Sequence, residues 1–312
     1  MFVKSINVRG LEPSIIEEFQ ALAQKNDRSM EGEARVAIRH WCNENTPERT
    51  SINEENKYGI ALLQRLNSAL AMVNRIPHRA LSYSLIAEKL GHSTPSLVQK
   101  WFDGRVIPTF DELAHLASLF GCNVRWLQHG IGSPYSVHFY HIRRQSPLSF
   151  AKEFLNTTLD GNPVFRLHII LNESSGYVYI IQEFENSNIC YTYFSSDFYL
   201  KGDYGSDGLN NTARFVLMLL AFDRLDSKVN IKGYTIKDTL ATPFFRDCEK
   251  HPLLFMLEAR ESPWNEDIID VNYPMSYWEG YKPLQQKLHN CINKDTLLSK
   301  FKSEIKSPLI DC

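Results

Sequence analysis

The hydrophobic and polar residues follow three different patterns along the chain. Residues 4–11 alternate with a period of two, which predicts a half-buried β-strand. From residue 13 to about residue 129, apolar residues recur every three to four positions, which predicts a series of short amphipathic helices. Beyond residue 135, alternating segments are mixed with helical ones. The pattern therefore predicts a multi-domain protein with a strand and two helices, then an all-α segment, then an α+β segment.

The opening segment, residues 1–44, is too small to fold alone. Pro13 suits the first turn of its first helix, and Ser29 can cap its second helix. About 40 residues with a single strand cannot bury their own apolar face, so the unit needs a partner copy. Its residues 28–35 read Arg-Ser-Met-Glu-Gly-Glu-Ala-Arg. With the preceding strand, this run resembles the ribbon-helix-helix DNA-binding family, particularly its antitoxin-like branch.

The resemblance implies a dimer in which two paired strands enter the major groove of DNA. Ser5, Asn7 and Arg9 would then face the base edges. The beginning of the second helix, at Ser29, would hold a DNA phosphate through backbone N–H groups. Strand alternation alone also fits a solvated edge strand; the helix spacing and the 28–35 run favour DNA contact.

Two domain boundaries are predicted from composition. Residues 45–57 are polar and contain Pro47 and one large aliphatic residue, Ile52, which is typical of a linker. Helical periodicity stops at residues 130–134, Gly-Ile-Gly-Ser-Pro. We therefore expect separate domains over residues 58–132 and 135–312.

Residues 58–132 predict five helices, of which two short ones surround a glycine turn. Ser82 can cap the helix that Gly91 ends, and Thr109 and Asn123 can cap two later helices. Two short helices joined by a tight turn form a helix-turn-helix. Residues 85–91 (Leu-Ile-Ala-Glu-Lys-Leu-Gly) and 98–105 (Val-Gln-Lys-Trp-Phe-Asp-Gly-Arg) make the segment resemble the Cro/repressor-type family.

This second resemblance implies that the third helix of the segment, which we expect to begin at Ser93 or Thr94, reads the major groove. The residues it would bring to DNA are Tyr83, Thr94, Pro95, Ser96, Leu97, Gln99, Lys100 and Arg105. Tyr83 and Arg105 would meet phosphates, and Leu97 could touch a thymine methyl group. Val98 and Trp101 are expected in the core. The turn at residues 92–94 is one residue longer than the family's commonest form, so the reading register is open by one position. The alternative to DNA binding is a helical protein-interaction bundle.

Charge is segregated along the chain although the net charge is only −2. Residues 58–144 hold nine lysines and arginines against four aspartates and glutamates. A basic segment between acidic ones is expected where one module meets phosphate and the others do not.

Residues 135–312 predict strands over 164–171, 177–184, 188–194, 229–236 and 253–258, and helices over 211–222, 283–291 and 296–305. The apolar content of 211–222 also fits a strand. They contain no recognisable catalytic constellation. Cys248 and His251 have no second ligand pair and suggest an ordinary core-and-surface pair. Glu183 and Glu185 flank one strand residue and are expected in solvent. We therefore expect no enzyme activity, no metal and no cofactor.

The cellular setting is predicted from what the sequence lacks. The six cysteines form no Cys-x-x-Cys pair, and neither a secretory signal nor a membrane-spanning run is recognisable. We expect a cytoplasmic, nucleoid-associated protein with reduced thiols and no membrane partner.

Two functions fit these patterns best. The first is a sequence-specific transcriptional regulator, of the repressor type, that reads operator DNA as a homodimer or higher homo-oligomer. Its residues 135–312 would oligomerise, or sense a ligand or protein effector. The alternative is an antitoxin that autoregulates its operon and neutralises a toxin through the same C-terminal residues. A nucleic-acid enzyme is the least supported class, because no catalytic residues are recognisable.

Overall fold

The structure, a computed structural model, divides into two compact units, Met1–Ala61 and Leu62–Cys312. For residues 43–45 and 47–55 it describes the backbone only. The residues that it describes are 10–26, 28–45, 47–143, 145–202, 205–225, 228–237 and 249–307.

The first unit contains the two predicted helices, α1 (Pro13–Lys25) and α2 (Met30–Asn45). Pro13 occupies the first turn of α1, as expected. The Ser29 hydroxyl accepts the Gly32 N–H at 3.1 Å and so caps α2. The predicted strand over residues 4–11 falls largely on residues 1–9, which lie outside the described residues.

The expected linker at residues 45–57 is instead helical from Pro47 onward. These residues open the long helix α3 (Pro47–Asn74). Proline is well suited to a first helical turn, and the Glu, Arg and Lys residues that follow are good helix formers. A polar composition therefore did not mean the absence of secondary structure here.

Four short helices follow α3, so all five helices expected over residues 58–132 are present. Their bounds are α4 (Tyr83–Lys89), α5 (Ser96–Phe102), α6 (Phe110–Phe120) and α7 (Val124–His129). The hydroxyl or amide oxygens of Ser82, Thr109 and Asn123 accept backbone N–H groups as predicted. The expected start of α5 was too early: Pro95 is its N-cap, since its carbonyl accepts the first helical hydrogen bond, from the Gln99 N–H at 2.9 Å.

The C-terminal part is α+β and contains a mixed seven-stranded sheet. Its strands are β1 (Val137–Phe139), β2 (Thr158–Leu159), β3 (Asn162–Asn172), β4 (Val178–Phe184), β5 (Cys190–Phe194), β6 (Asn230–Ile236) and β7 (Arg260–Glu261). The order is β1-β5-β4-β3-β6-β7, with β2 paired to β3. The β1–β5 and β3–β6 pairs are parallel, and the other pairs are antiparallel.

Six helices accompany the sheet within the described residues. They are α8 (Pro147–Asn156), α9 (Ser206–Arg224), α10 (Pro252–Phe255), α11 (Trp264–Asp267), α12 (Tyr281–Lys294) and α13 (Thr296–Lys306). The strand predicted over residues 253–258 is wrong, since residues 252–255 form α10. A short apolar run does not separate a buried strand from a buried helical turn. The other predicted C-terminal strands and helices are present, with ends shifted by a few residues.

The sheet is covered on both faces. One face packs on α8, α9, α12 and α13 in the larger core. On the other face, Ile170, Tyr179 and Phe194 share a core with Ile76 and with α10. The boundary expected at residues 130–134 therefore does not divide two compact units, because residues 62–312 form one. None of the described helices is long and apolar enough to cross a membrane.

Candidate nucleic-acid interface

Helix α5 has one exposed polar side and one buried apolar side. Ser96, Gln99 and Lys100 are exposed, while Val98 and Trp101 are buried as predicted. The exposed residues are spaced three and four positions apart, so they share one face of the helix. Hydroxyl, amide and ammonium groups on one face provide the donors and acceptors that base edges in a major groove match.

Aromatic contacts fix α5 against α4. The ring of Phe102 stacks on Tyr83 at 5.0 Å, and Trp101 meets the ring of His92 edge-on at 5.5 Å. Because of this packing Tyr83 is half-buried. Its contact with a DNA phosphate stays a prediction. These contacts make the pair a preorganised unit, which lowers the ordering cost of binding.

The remaining predicted contact residues of this segment border α5. Thr94 and Pro95 are exposed in the turn before the helix, and Leu97 is half-buried. Arg105 is exposed after the helix, with its guanidinium 3.7 Å from the Asp103 carboxylate. An exposed pair of this kind contributes little, so a phosphate could displace the carboxylate at small cost.

In the first unit, Ser29 is exposed at the beginning of α2, where its hydroxyl serves as the cap. Ser5, Asn7 and Arg9 lie outside the described residues. Large apolar side chains of α1 and α2 are exposed on the single chain, among them Ile15, Ile16, Leu22, Met30, Val36 and Ile38, and Leu11 just before α1 is exposed as well. An apolar surface of this extent is typical of an interaction face.

A buried polar cluster joins the helices to the sheet. The Arg79 guanidinium, in the loop before α4, reaches the β4–β5 turn and donates to the Ser187 carbonyl at 2.5 Å and to the Asn188 Oδ1 at 3.1 Å. It also pairs with the Glu183 carboxylate of β4 at 2.5 Å. We call this contact, together with the Asn188 contacts below, the helix–sheet joint.

Glu183 is the centre of the joint and is buried, which corrects the expectation that it lies in solvent; Glu185 is exposed. The Glu183 carboxylate accepts a hydrogen bond from the His168 Nε2 at 2.5 Å and lies 3.4 Å from the Arg166 guanidinium. Burial alone would raise the pKa of Glu183. The hydrogen bond from His168 and the two guanidinium charges outweigh burial and hold that pKa below its ordinary value.

Asn188 supplies the second half of the joint. Its Nδ2 donates to the Leu119 carbonyl at 2.6 Å, and its own carbonyl accepts the His251 Nε2 at 2.8 Å. Gly121, at the end of α6, lies against the same carbonyl: a Cβ there would be 2.2 Å from the Asn188 oxygen. Only glycine allows this approach, and its φ of +65° also favours glycine.

His251 is buried at the beginning of α10. Its Nδ1 accepts the Leu253 N–H at 3.2 Å, and its Nε2 donates to the Asn188 carbonyl. One ring nitrogen therefore accepts and the other donates, which is the pattern of a neutral imidazole. Burial lowers the pKa of His251 to about 4. Cys248, considered above as one pair with His251, lies outside the described residues.

The sequence did not predict the joint. Arg79 and Glu183 are 104 positions apart, and a contact over that distance leaves no local periodicity. Two local features of the sequence point to a contact there: Glu183 is a charged residue inside the apolar run of β4, and Gly121 is a glycine at the end of α6.

Within the described ranges, no group of three or more His, Cys, Asp or Glu side chains could hold a metal ion. No family model matches this sequence. Comparisons with the curated proteins and with the solved structures find no significant similarity either.

Proposed function

We propose that the protein is a sequence-specific DNA-binding transcriptional repressor whose α4–α5 pair reads the operator. The observation that carries the proposal is the two-sided α5, where Ser96, Gln99 and Lys100 are exposed and Trp101 anchors the buried side. The surrounding basic segment supplies the attraction to phosphate that DNA binding requires.

The repressor acts as a homodimer in this proposal. The exposed apolar residues of α1 and α2, including Ile15, Ile16 and Leu22, would be covered by the same residues of a second copy. Two copies place two α4–α5 pairs on one duplex, so the operator would contain two half-sites. The strand residues Ser5, Asn7 and Arg9 would add a second set of base contacts.

The α+β part has the role of a rigid support and sensor. Because the helix–sheet joint ties Arg79, just before α4, to the buried Glu183 of β4, a change in the sheet would be transmitted to the reading helices. This connection makes residues 135–312 the place where an effector or a partner protein would act.

A selection from a pool of randomised duplexes tests the function. The full-length protein is incubated with the pool at moderate salt, and the bound duplexes are sequenced over several rounds. We expect enrichment of a motif with two-fold symmetry. Retention of the random composition after all rounds would overturn the proposal.

A further inference from the structure

A cavity of about 350 Å³ opens between α4 and the sheet, beside the helix–sheet joint. Leu85 and Lys89 of α4 line one side, and Phe165 and Phe184 of the sheet line the other. The volume lies within the range of small-molecule sites, roughly 300–1,000 Å³.

Polar and apolar groups both line the cavity, and its apolar residues are incompletely covered. Phe184 is buried, whereas Leu85, Leu119 and Phe165 are half-buried and present apolar surface to the opening. A ligand with an apolar body would remove this surface from water, which favours binding in proportion to the area covered.

The charges around the cavity have one sign. Lys89 and Arg79 line it, and none of the described residues that line it is an aspartate or glutamate. Arg79 is already compensated by Glu183. Lys89 makes no ion pair with the residues that the structure describes, so its ammonium is available to an anion.

Another cavity differs from it in charge. It has a volume of about 280 Å³, is lined by Asp223 and Glu266, and contains no lysine or arginine among the described residues. The cavity at the joint is therefore lined by cations, and the other cavity by carboxylates. A ligand's charge would decide between them.

We propose that the cavity at the joint binds a small organic anion. Its carboxylate or phosphate group would pair with Lys89, and its apolar body would lie between Leu85 and Phe165. Asn186 and Ser118 also line the cavity and would supply hydrogen-bond donors to the same anion. The effector role of this ligand rests on the proposed function, because the ligand would touch α4 directly; the binding itself needs no DNA.

Calorimetric titration of the full-length protein, without DNA, tests the site. The probes are 1-naphthoate, the uncharged 1-naphthalenemethanol, the cationic 1-naphthylmethylamine and inorganic phosphate. We expect saturable binding of 1-naphthoate and at least about tenfold weaker binding of the other three, since a charge-assisted hydrogen bond and apolar contact are both required. Equal binding of the acid, alcohol and amine would overturn the proposal.

Two variants locate the bound probe. Lys89→Gln removes the charge from an exposed position and should weaken 1-naphthoate binding about tenfold. Leu85→Trp fills the cavity and should abolish it. Lys152→Gln, on the exposed side of α8, is the matched control and should leave the affinity unchanged. Undiminished binding in Lys89→Gln would contradict the site, whereas a failure to bind DNA would leave this result unaffected.

Discussion

Gly121 shows how one missing side chain shapes this molecule. The position combines left-handed backbone with contact to the Asn188 carbonyl, whereas Gly132 shares the left-handed backbone but has no neighbour near its Cβ position. Comparing the two positions therefore separates backbone strain from the close approach of two backbone segments.

We expect Gly121→Ala to lower the free energy of unfolding by about 3 kcal/mol or more, because strain and a clash with the Asn188 backbone add together. Gly132→Ala should cost only about 1 kcal/mol, from strain alone. Urea denaturation of both variants measures the difference. Equal losses in the two variants would contradict the contact between α6 and the β4–β5 turn.

His251 makes stability depend on pH. Burial depresses the pKa of its ring to about 4, so the folded state favours the neutral form. Its contribution to stability is complete above the unfolded pKa of about 6.5 and is lost as the pH falls towards 4. Between pH 7 and pH 5 we expect the free energy of unfolding to drop by about 2 kcal/mol.

Two histidine variants check the source of this pH dependence. His251→Gln should flatten the profile between pH 5 and pH 7, because the titrating group is gone. His115→Gln, which replaces an exposed histidine of α6, should retain the slope. A slope that survives in His251→Gln would assign the effect to another group.

The elements differ in how far the sequence could predict them. Capping residues are local signals in the sequence. Ser82 and Thr109 were sufficient to predict the beginnings of α4 and α6, and Gly121 the end of α6. Helix beginnings next to prolines were harder to predict: α5 begins after Pro95, later than expected, and Pro47 begins a helix where composition suggested a linker.

Docking of one element on another was not predictable from the sequence. The positions of the α5 contact residues on an exposed face could be predicted, since helical periodicity places them there. The joint could not, because whether Glu183 is solvated or buried depends on Arg79, which approaches from a distant part of the chain. An isolated glutamate in a strand carries no sign of its partner.

Removing the carboxylate charge tests the joint. Glu183→Gln should lower the free energy of unfolding by roughly 3–5 kcal/mol, because it leaves the guanidinium of Arg79 without its buried counter-charge. Glu185→Gln, two residues further on and exposed, is the control and should stay within about 0.5 kcal/mol of wild type. Thermal and urea denaturation should agree on this ranking, and similar losses for both would place Glu183 in solvent.

The two compact units of the molecule differ in how much of their apolar surface is buried. Residues 62–312 contain large cores on both faces of the sheet, whereas among the described side chains of the first unit Ala23 is buried and many large apolar residues are exposed. This difference explains why the first unit would require a second copy, while the larger unit can be stable within one chain.

We expect the full-length protein to sediment as a dimer at micromolar concentration. Ile16→Lys, which places a charge on the exposed apolar face of α1, should shift the species to monomer. Lys25→Glu, at the end of the same helix, changes charge without touching the apolar residues and should remain dimeric. A wild-type monomer throughout the concentration range would contradict the dimer.

The most direct test of the account is the affinity of Lys100→Ala and Lys152→Ala for the duplex that the selection enriches. Both substitutions remove one exposed lysine, but only Lys100 lies on the face of α5 that we propose reads DNA. We predict that Lys100→Ala loses about 1–3 kcal/mol of binding free energy and relaxes the preference at one base position. Lys152→Ala should bind as wild type does, and equal affinity of the two variants would contradict the assignment of α5 as the reading helix.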